Sequence, residues 1–351
     1  MTSPLRLGII GAGRMGITHY SIANAHEHAA ITGVADPSKL VTTMLGKYAK
    51  VGTYKDYKGL LKGEELDGVL VCTPPAFNPD ILDAVLEAKL HAFVEKPFML
   101  NSADGARFAA GFDAAGLVNQ VGYVNRWNDM FTKARSFVAE GLIGEPLRFR
   151  SEMFSGTIIR DVGEAGWRST HANGGGAIYE MASHAIDLIA YFFGAPDRVG
   201  GTSLSKVYSK NVEDIVSSSL FYESGLAGTL YVNWSDASYR KPTNKFEIFG
   251  KSGKIQVDQH GMKVFLAEAS EAPGLKQGWN QIYITDVFSS VPFYVRGIEY
   301  TAQLFDFIAS IREGKPVRCT FADATANLRV MEQLFADDAA QRAGTQAGDA
   351  A

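Results

Sequence analysis

Cysteine is nearly absent: Cys72 and Cys319 are the only two in 351 residues. That excludes a disulfide scaffold and makes a reducing cytoplasm the simplest compartment. Long apolar runs are missing as well. No uninterrupted stretch approaches the roughly 20 residues that span a bilayer. The apolar run in the opening MTSPLRLGIIGAG is too short for the core of a signal peptide. Nor is there a surplus of positive charge. Lys and Arg number 34 against 38 Asp and Glu, for a net charge of −4, and no basic stripe stands out. Nucleic acid and membrane are therefore not expected as partners. No low-complexity segment or short repeat breaks the chain. What is present, 46% hydrophobic and 21% charged residues, is ordinary for a globular protein, and the length exceeds one ordinary core, so two domains are expected.

The first third alternates strands and helices. LRLGII (Leu5–Ile10) reads as a buried strand, and GAGRMG follows with Gly11, Gly13 and Gly16 in the G-x-G-x-x-G spacing. Such a loop is weak by itself, because glycines also fill ordinary turns. Here a helix follows it, and a second strand, AITGVAD, ends at Asp36, twenty residues after Gly16. That is where a dinucleotide fold places the carboxylate that binds the adenosine ribose. Gly11, Gly13, Arg14 and Met15 are then the loop contacts of a cofactor, with its pyrophosphate at the helix N-terminus. Asp36 would repel a 2′-phosphate, so NAD is favoured; Lys39, three residues on, leaves NADP open.

Further strands are read at Asp67–Cys72, His91–Glu95 and Leu117–Tyr123, with helices at Asn78–Leu90 and from Ser102. This alternation means a parallel sheet with right-handed crossovers, binding ligands at the carboxyl ends of its strands. Three segments emerge there: Thr73–Pro75, Glu95–Pro97 and Tyr123–Trp127. The remainder is rich in hairpins: Pro146–Phe154, Asp214–Ser235 and Asn244–Glu268 alternate and turn tightly. Two amphipathic helices close the chain. The expected division is a dinucleotide-binding domain over 1–125, a second domain over 126–343, and a flexible tail over 344–351.

GGGAIYEMASHAIDLIAYFFG (Gly174–Gly194) reads as a helix after three glycines. At about 100° per residue, Glu180, His184, Asp187 and Tyr191 fall within roughly 40° of one another. Met181, Ala185, Leu188 and Phe192 make a separate apolar stripe, expected to pack under the sheet. Glu180 and His184 are i, i+4 neighbours, able to touch. A carboxylate beside an imidazole raises its proton affinity and orients it, which suits a base for a hydroxyl proton. The bland reading is a satisfied core histidine. No metal is expected, since no third ligand stands at ligand spacing and zinc sites need at least three.

GIIGAGRMG, VCTPP, VEKPF, VGYVNRW, GWR, GGGAIYEMASHAIDL and EGKPVRCTFADATANLRVMEQL together resemble the glucose–fructose oxidoreductase/inositol dehydrogenase (Gfo/Idh/MocA) family over nearly the whole chain. The resemblance implies an α/β protein: a Rossmann domain, then a C-terminal α/β domain with a large open, mostly antiparallel sheet. It implies NAD(P)-dependent oxidation or reduction of a carbinol carbon on a sugar or cyclitol. By the same resemblance Lys96 lies near the nicotinamide and stabilises a developing alkoxide, and His184 is the active-site histidine with Glu180 beside it. Thr73, Pro74 and Glu95 join the cofactor contacts, and Tyr123, Asn125, Arg126, Arg168, Tyr179 and Asp187 are substrate candidates. Arg126, Arg160 and Arg168 either hold substrate or pair with carboxylates, and Tyr191 and Trp127 read as structural. The chain departs from the family twice. Glu180 stands where an Asp is usual, and PPAFNPD where the TP turn is usually followed by Asn and then His.

Two other functions remain open: a glycosidase using transient oxidation by tightly held NAD, and a non-enzymatic sugar sensor. The presence of both Lys96 and His184 disfavours the sensor. An open sheet face favours a homodimer or homotetramer joined sheet to sheet.

Overall fold

The computed structural model describes residues 3–161, 166–269 and 272–349. Six strands form the first sheet: β1 (Leu5–Ile10), β2 (Ala29–Ala35), β3 (Gly52–Tyr54), β4 (Gly68–Val71), β5 (His91–Val94) and β6 (Asn119–Val121). All pairs are parallel, in the order β3-β2-β1-β4-β5-β6. Central β4 is buried at every position, as a parallel strand covered on both faces must be. Between the strands run α1 (Arg14–Asn24), α2 (Lys39–Tyr48), α3 (Tyr57–Gly63), α4 (Asn78–Glu87) and α5 (Ser102–Ala114). Ser38, Asp56 and Asn101 start α2, α3 and α5 by accepting backbone N–H groups of their first turns.

The second sheet has eight strands: β7 (Pro146–Phe154), β8 (Arg198–Ser205), β9 (Ile215–Phe221), β10 (Ala227–Asn233), β11 (Thr243–Gly250), β12 (Gly253–Asp258), β13 (Gly261–Leu266) and β14 (Gly278–Tyr283). Their order is β14-β13-β12-β11-β7-β10-β9-β8, antiparallel except for the β7–β10 pair. Helix α6 (Asp129–Ala139) precedes this sheet in sequence, and α7 (Ser183–Phe193) follows β7. The expected apolar stripe packs on one sheet face: Phe192 stacks on Phe246 with ring centroids 4.8 Å apart, and the Ser155 hydroxyl meets Met181 Sδ at 3.0 Å. The opposite face carries a row of directly paired residues, Arg148, Phe249, Lys254, Phe265 and Trp279, across β7 and β11–β14.

Helices α8 (Ile284–Val287), α9 (Ile298–Glu313) and α10 (Phe321–Asp349) complete the chain. The chain separates into two compact units, Met1–Val124 with Ser290–Thr325, and Asn125–Ser289 with Ala326–Ala351. The expected boundary at 125/126 thus lies one residue from the first crossing, but the second domain is not continuous. Segment 290–325 belongs with the first unit because α9 buries Leu304, Phe307 and Ile308 completely in the cluster that holds Leu7, Ile9, Leu70 and Phe93. The stretch read as a tail from residue 344 continues α10 through Asp349, and Ala350 and Ala351 lie outside the described residues.

Candidate active site

The three glycines of the first loop meet three different demands. Gly11 has φ +93°, and a Cβ there would stand 2.9 Å from the backbone carbonyl of Cys72. A Cβ on Gly16 would lie 2.0 Å from the Gly11 carbonyl oxygen, so this glycine lets α1 pack onto the loop. Gly13 caps α1 and meets nothing within 4 Å, which leaves space in front of the helix N-terminus. The first turn of α1 holds exposed Arg14 and half-buried Met15 and no acidic residue, so its positive end is uncompensated. One oxygen of Asp36 accepts the Ala12 N–H at 2.8 Å and the other accepts the Ser38 N–H at 2.8 Å. A carboxylate has about four acceptor positions, so two remain for ribose hydroxyls while Asp36 braces the loop. These residues fit a dinucleotide.

The neighbouring strand ends are tied to one another. Glu95 and Gly122 continue the ladder past β5 and β6, their N–H groups donating to the Val71 and Val94 carbonyls. Thr73 donates its hydroxyl to Asn78 Oδ1 at 2.9 Å, and the Asn78 amide donates to the Phe98 carbonyl at 2.8 Å. Fully buried Asn78 therefore joins the TPP turn to the turn after Lys96, in the stretch that departs from the family. One oxygen of Glu95 lies 2.6 Å from His19 Nε2, and the other accepts the Lys96 N–H at 3.3 Å. His19 is completely buried in α1, with its ring edge-on to Phe93. His19 and Asn78 were not singled out from sequence. The only signal was a polar residue on an otherwise buried helix face.

In the second unit the helix read from sequence opens differently. Ile178–Ala182 is a π turn, and the α-helix begins only at Ser183. Glu180 and His184 are therefore not one plain α-turn apart, a correction to the expected register; π turns are rare and concentrate at functional sites. The Glu180 carboxylate receives Arg168 Nε at 3.3 Å, with Arg168 41% and Glu180 14% exposed. His184 is half-buried. Arg168, Glu180 and His184 are each partly exposed, and Arg160 is exposed.

Arg126 and Asp187 pair with each other. Arg126 Nε and Nη2 hold both oxygens of Asp187 at 2.8–3.1 Å, and the Asn327 amide adds a bond at 2.9 Å. With side-chain exposures of 5% and 1%, the pair is buried, and each charge is met by the other. Tyr123, Asn125 and Tyr179 are buried too. Tyr179 packs against His171 and Phe335, and burial pushes its phenol up, helped by Glu332 and Glu213. Among the described residues no group of three His, Cys, Asp or Glu could hold a metal ion.

A glycine cradle, a carboxylate closing the second strand and a lysine on the same sheet edge define a nicotinamide-dependent oxidoreductase. The chain belongs to the Gfo/Idh/MocA family: residues 5–123 match its oxidoreductase NAD-binding Rossmann domain, and residues 131–256 match the GFO/IDH/MocA C-terminal domain. Myo-inositol 2-dehydrogenase of Thermotoga maritima is 27% identical over 72% of this chain and 75% of its own. The scyllo-inositol 2-dehydrogenase (NAD(+)) of Bacillus subtilis is 24% identical over 94% and 93%. In fold the chain is similar to levoglucosan dehydrogenase, solved in complex with NADH and levoglucosan. That likeness has a TM-score of 0.85, covers 96% of this chain and 97% of that one, and has 20% identity.

Proposed function

We propose that the protein is an NAD-dependent dehydrogenase acting on a secondary carbinol of a sugar or cyclitol. One observation carries the reading. Lys96 leaves β5 on the sheet edge that holds the glycine loop, with its own N–H fixed by Glu95. NAD, when bound, supplies the hydride acceptor. The Lys96 ammonium stabilises the alkoxide that develops as the carbinol loses its proton. His184 takes that proton, Glu180 tunes it, and Arg168 holds a substrate hydroxyl. Asp36 selects NAD, since a 2′-phosphate would face its carboxylate. Cys72 and Cys319 form no disulfide, which fits a cytoplasmic enzyme.

Absorbance at 340 nm, followed with NAD or NADP against myo-inositol, scyllo-inositol, levoglucosan and common aldoses, tests this. NADH should accumulate with at least one of them, and kcat/KM should be higher with NAD than with NADP. Preference for NADP would overturn the role of Asp36. NAD that stays bound through gel filtration, with glycoside cleavage and no net NADH, would move the protein to the glycosidase reading.

We also propose a homo-oligomer joined through the outer face of the eight-stranded sheet. Phe249, Phe265 and Trp279 are 51%, 36% and 52% exposed in one cross-strand row. Arg150, Glu247 and Lys263 on the same face offer charges of both signs, which a two-fold interface can pair with itself. Light scattering should give a dimer or tetramer mass, and Trp279→Glu with Phe265→Glu should return the monomer. A wild-type monomer at assay concentration ends this proposal.

A further inference from the structure

The run Gly174-Gly175-Gly176 precedes the helix that carries Glu180 and His184. Gly174 is left-handed (φ +83°) and closes the short turn 171–173 by donating its N–H to the His171 carbonyl at 2.8 Å. A Cβ on Gly175 would lie 2.2 Å from the Arg168 carbonyl oxygen. Gly176 has φ +103°, and a Cβ there would lie 2.5 Å from Oε1 of Glu213. The space that a side chain at 176 would fill is therefore taken by a carboxylate from the segment just before β9.

Glu213 is 3% exposed, and its carboxylate joins the turn 171–173 to the start of that helix. Oε1 accepts the Ile178 N–H at 2.7 Å, and Oε2 lies 2.6 Å from His171 Nε2. Its main-chain carbonyl accepts the Ala177 N–H at 3.0 Å. A buried carboxylate is costly unless it is hydrogen-bonded and compensated. Here the Ile178 N–H at the helix N-terminus and the His171 ring supply the hydrogen bonds. His171, 42% exposed at its side chain, is itself held edge-on by Phe335 with centroids 5.1 Å apart. The π turn begins at Ile178, the residue whose N–H Glu213 holds.

We infer that Glu213, clamped by His171, is a positioning residue: it fixes the first turn of this helix, and with it the π turn that sets Glu180 and His184. This rests on the proposed roles of those two residues. Glu213 touches the backbone at 177–178 and acts only through the helix.

The test uses Gly176→Ala, Glu213→Ala and Glu213→Gln in the full-length protein. Gln keeps an acceptor for Ile178 but loses the charge, so it should rescue part of the effect. Amide hydrogen exchange across 177–186 should accelerate about tenfold or more in the alanine variants, as loss of a local restraint does. Exchange in α1 and NADH affinity by fluorescence titration should stay at wild-type values. On a polyol that wild type oxidises, kcat should fall about 10²-fold, the size of a misplacement on the order of 1 Å, with KM for NAD unchanged. If Glu213→Ala fails to fold, Glu213→Gln and Gly176→Ala decide. Unchanged exchange at 177–186 overturns the clamp, and so does wild-type kcat alongside accelerated exchange. A wild type inert to every polyol sinks the reading of the reaction, while the exchange result still decides whether Glu213 holds the turn.

Discussion

Replacing Lys96 by alanine is expected to lower turnover by about 10²–10³, the usual loss when one preorganised electrostatic group is removed from a developing oxyanion. NAD binding should persist. The groups that shape the nucleotide cradle are Gly11, Gly13, Gly16 and Asp36, and the Asp36 carboxylate is held by the Ala12 and Ser38 N–H groups. The substitution also leaves the local frame in place. Glu95 holds the backbone N–H of residue 96, which alanine retains, and the Glu95–His19 bond is untouched. A drop in kcat with an unchanged NADH dissociation constant therefore isolates the ammonium. Lys96→Arg should not restore activity, because a planar guanidinium does not reproduce a compact ammonium. Wild-type turnover in Lys96→Ala removes the residue from the chemistry.

His184→Ala is expected to cost roughly 10²–10⁴ in kcat, the range of a general-base contribution. Glu180→Gln should cost less and move the acid limb of the kcat profile to lower pH. A neutral amide no longer favours the protonated imidazole, so the base stays unprotonated further into acid. The Arg168 guanidinium, 3.3 Å from Glu180, offsets part of the carboxylate charge and should keep that displacement small. Arg168→Ala should then move the acid limb the other way, to higher pH, by exposing the full charge of Glu180. Profiles of the three variants against wild type check this. An acid limb unmoved in both Glu180→Gln and Arg168→Ala would leave the carboxylate as a structural residue of the π turn.

The parts of this design legible in the sequence are those set by local demands. The nucleotide loop declares itself because Gly11 and Gly16 answer a positive φ and a clash within a few residues, and Asp36 because it ends the next strand. The hairpins of the second sheet show through period-two alternation, as in β12, where every second residue is buried. Short or glycine-broken strands did not show: β3 has three residues, and β8 contains Gly200-Gly201. Partnership over distance was the larger gap. Arg126 and Asp187 carry the residue types of a substrate site, yet they pair across 61 positions and are buried. His171 and Glu213 lie 42 apart, and His19 and Glu95 lie 76 apart. A sequence states that a charge exists; only packing states what neutralises it. The π turn is hidden for a related reason. Its single extra residue leaves the apolar pattern of the following helix intact, so periodicity reads straight through it.

The return of segment 290–325 to the first unit bears on how the chain matures. When residue 125 leaves the ribosome, every strand of the parallel sheet has been made, but Leu304, Phe307 and Ile308 have not. Burial of one such side chain contributes about 1.5–3 kcal/mol, and a whole domain rests on a margin of only about 5–15 kcal/mol. Until the other half has been synthesised, the nascent nucleotide half lacks this part of its core. The first unit is completed by residues made after the second sheet. A shuffling event that carried the first 125 codons alone into another gene would deliver a sheet without its closing helix.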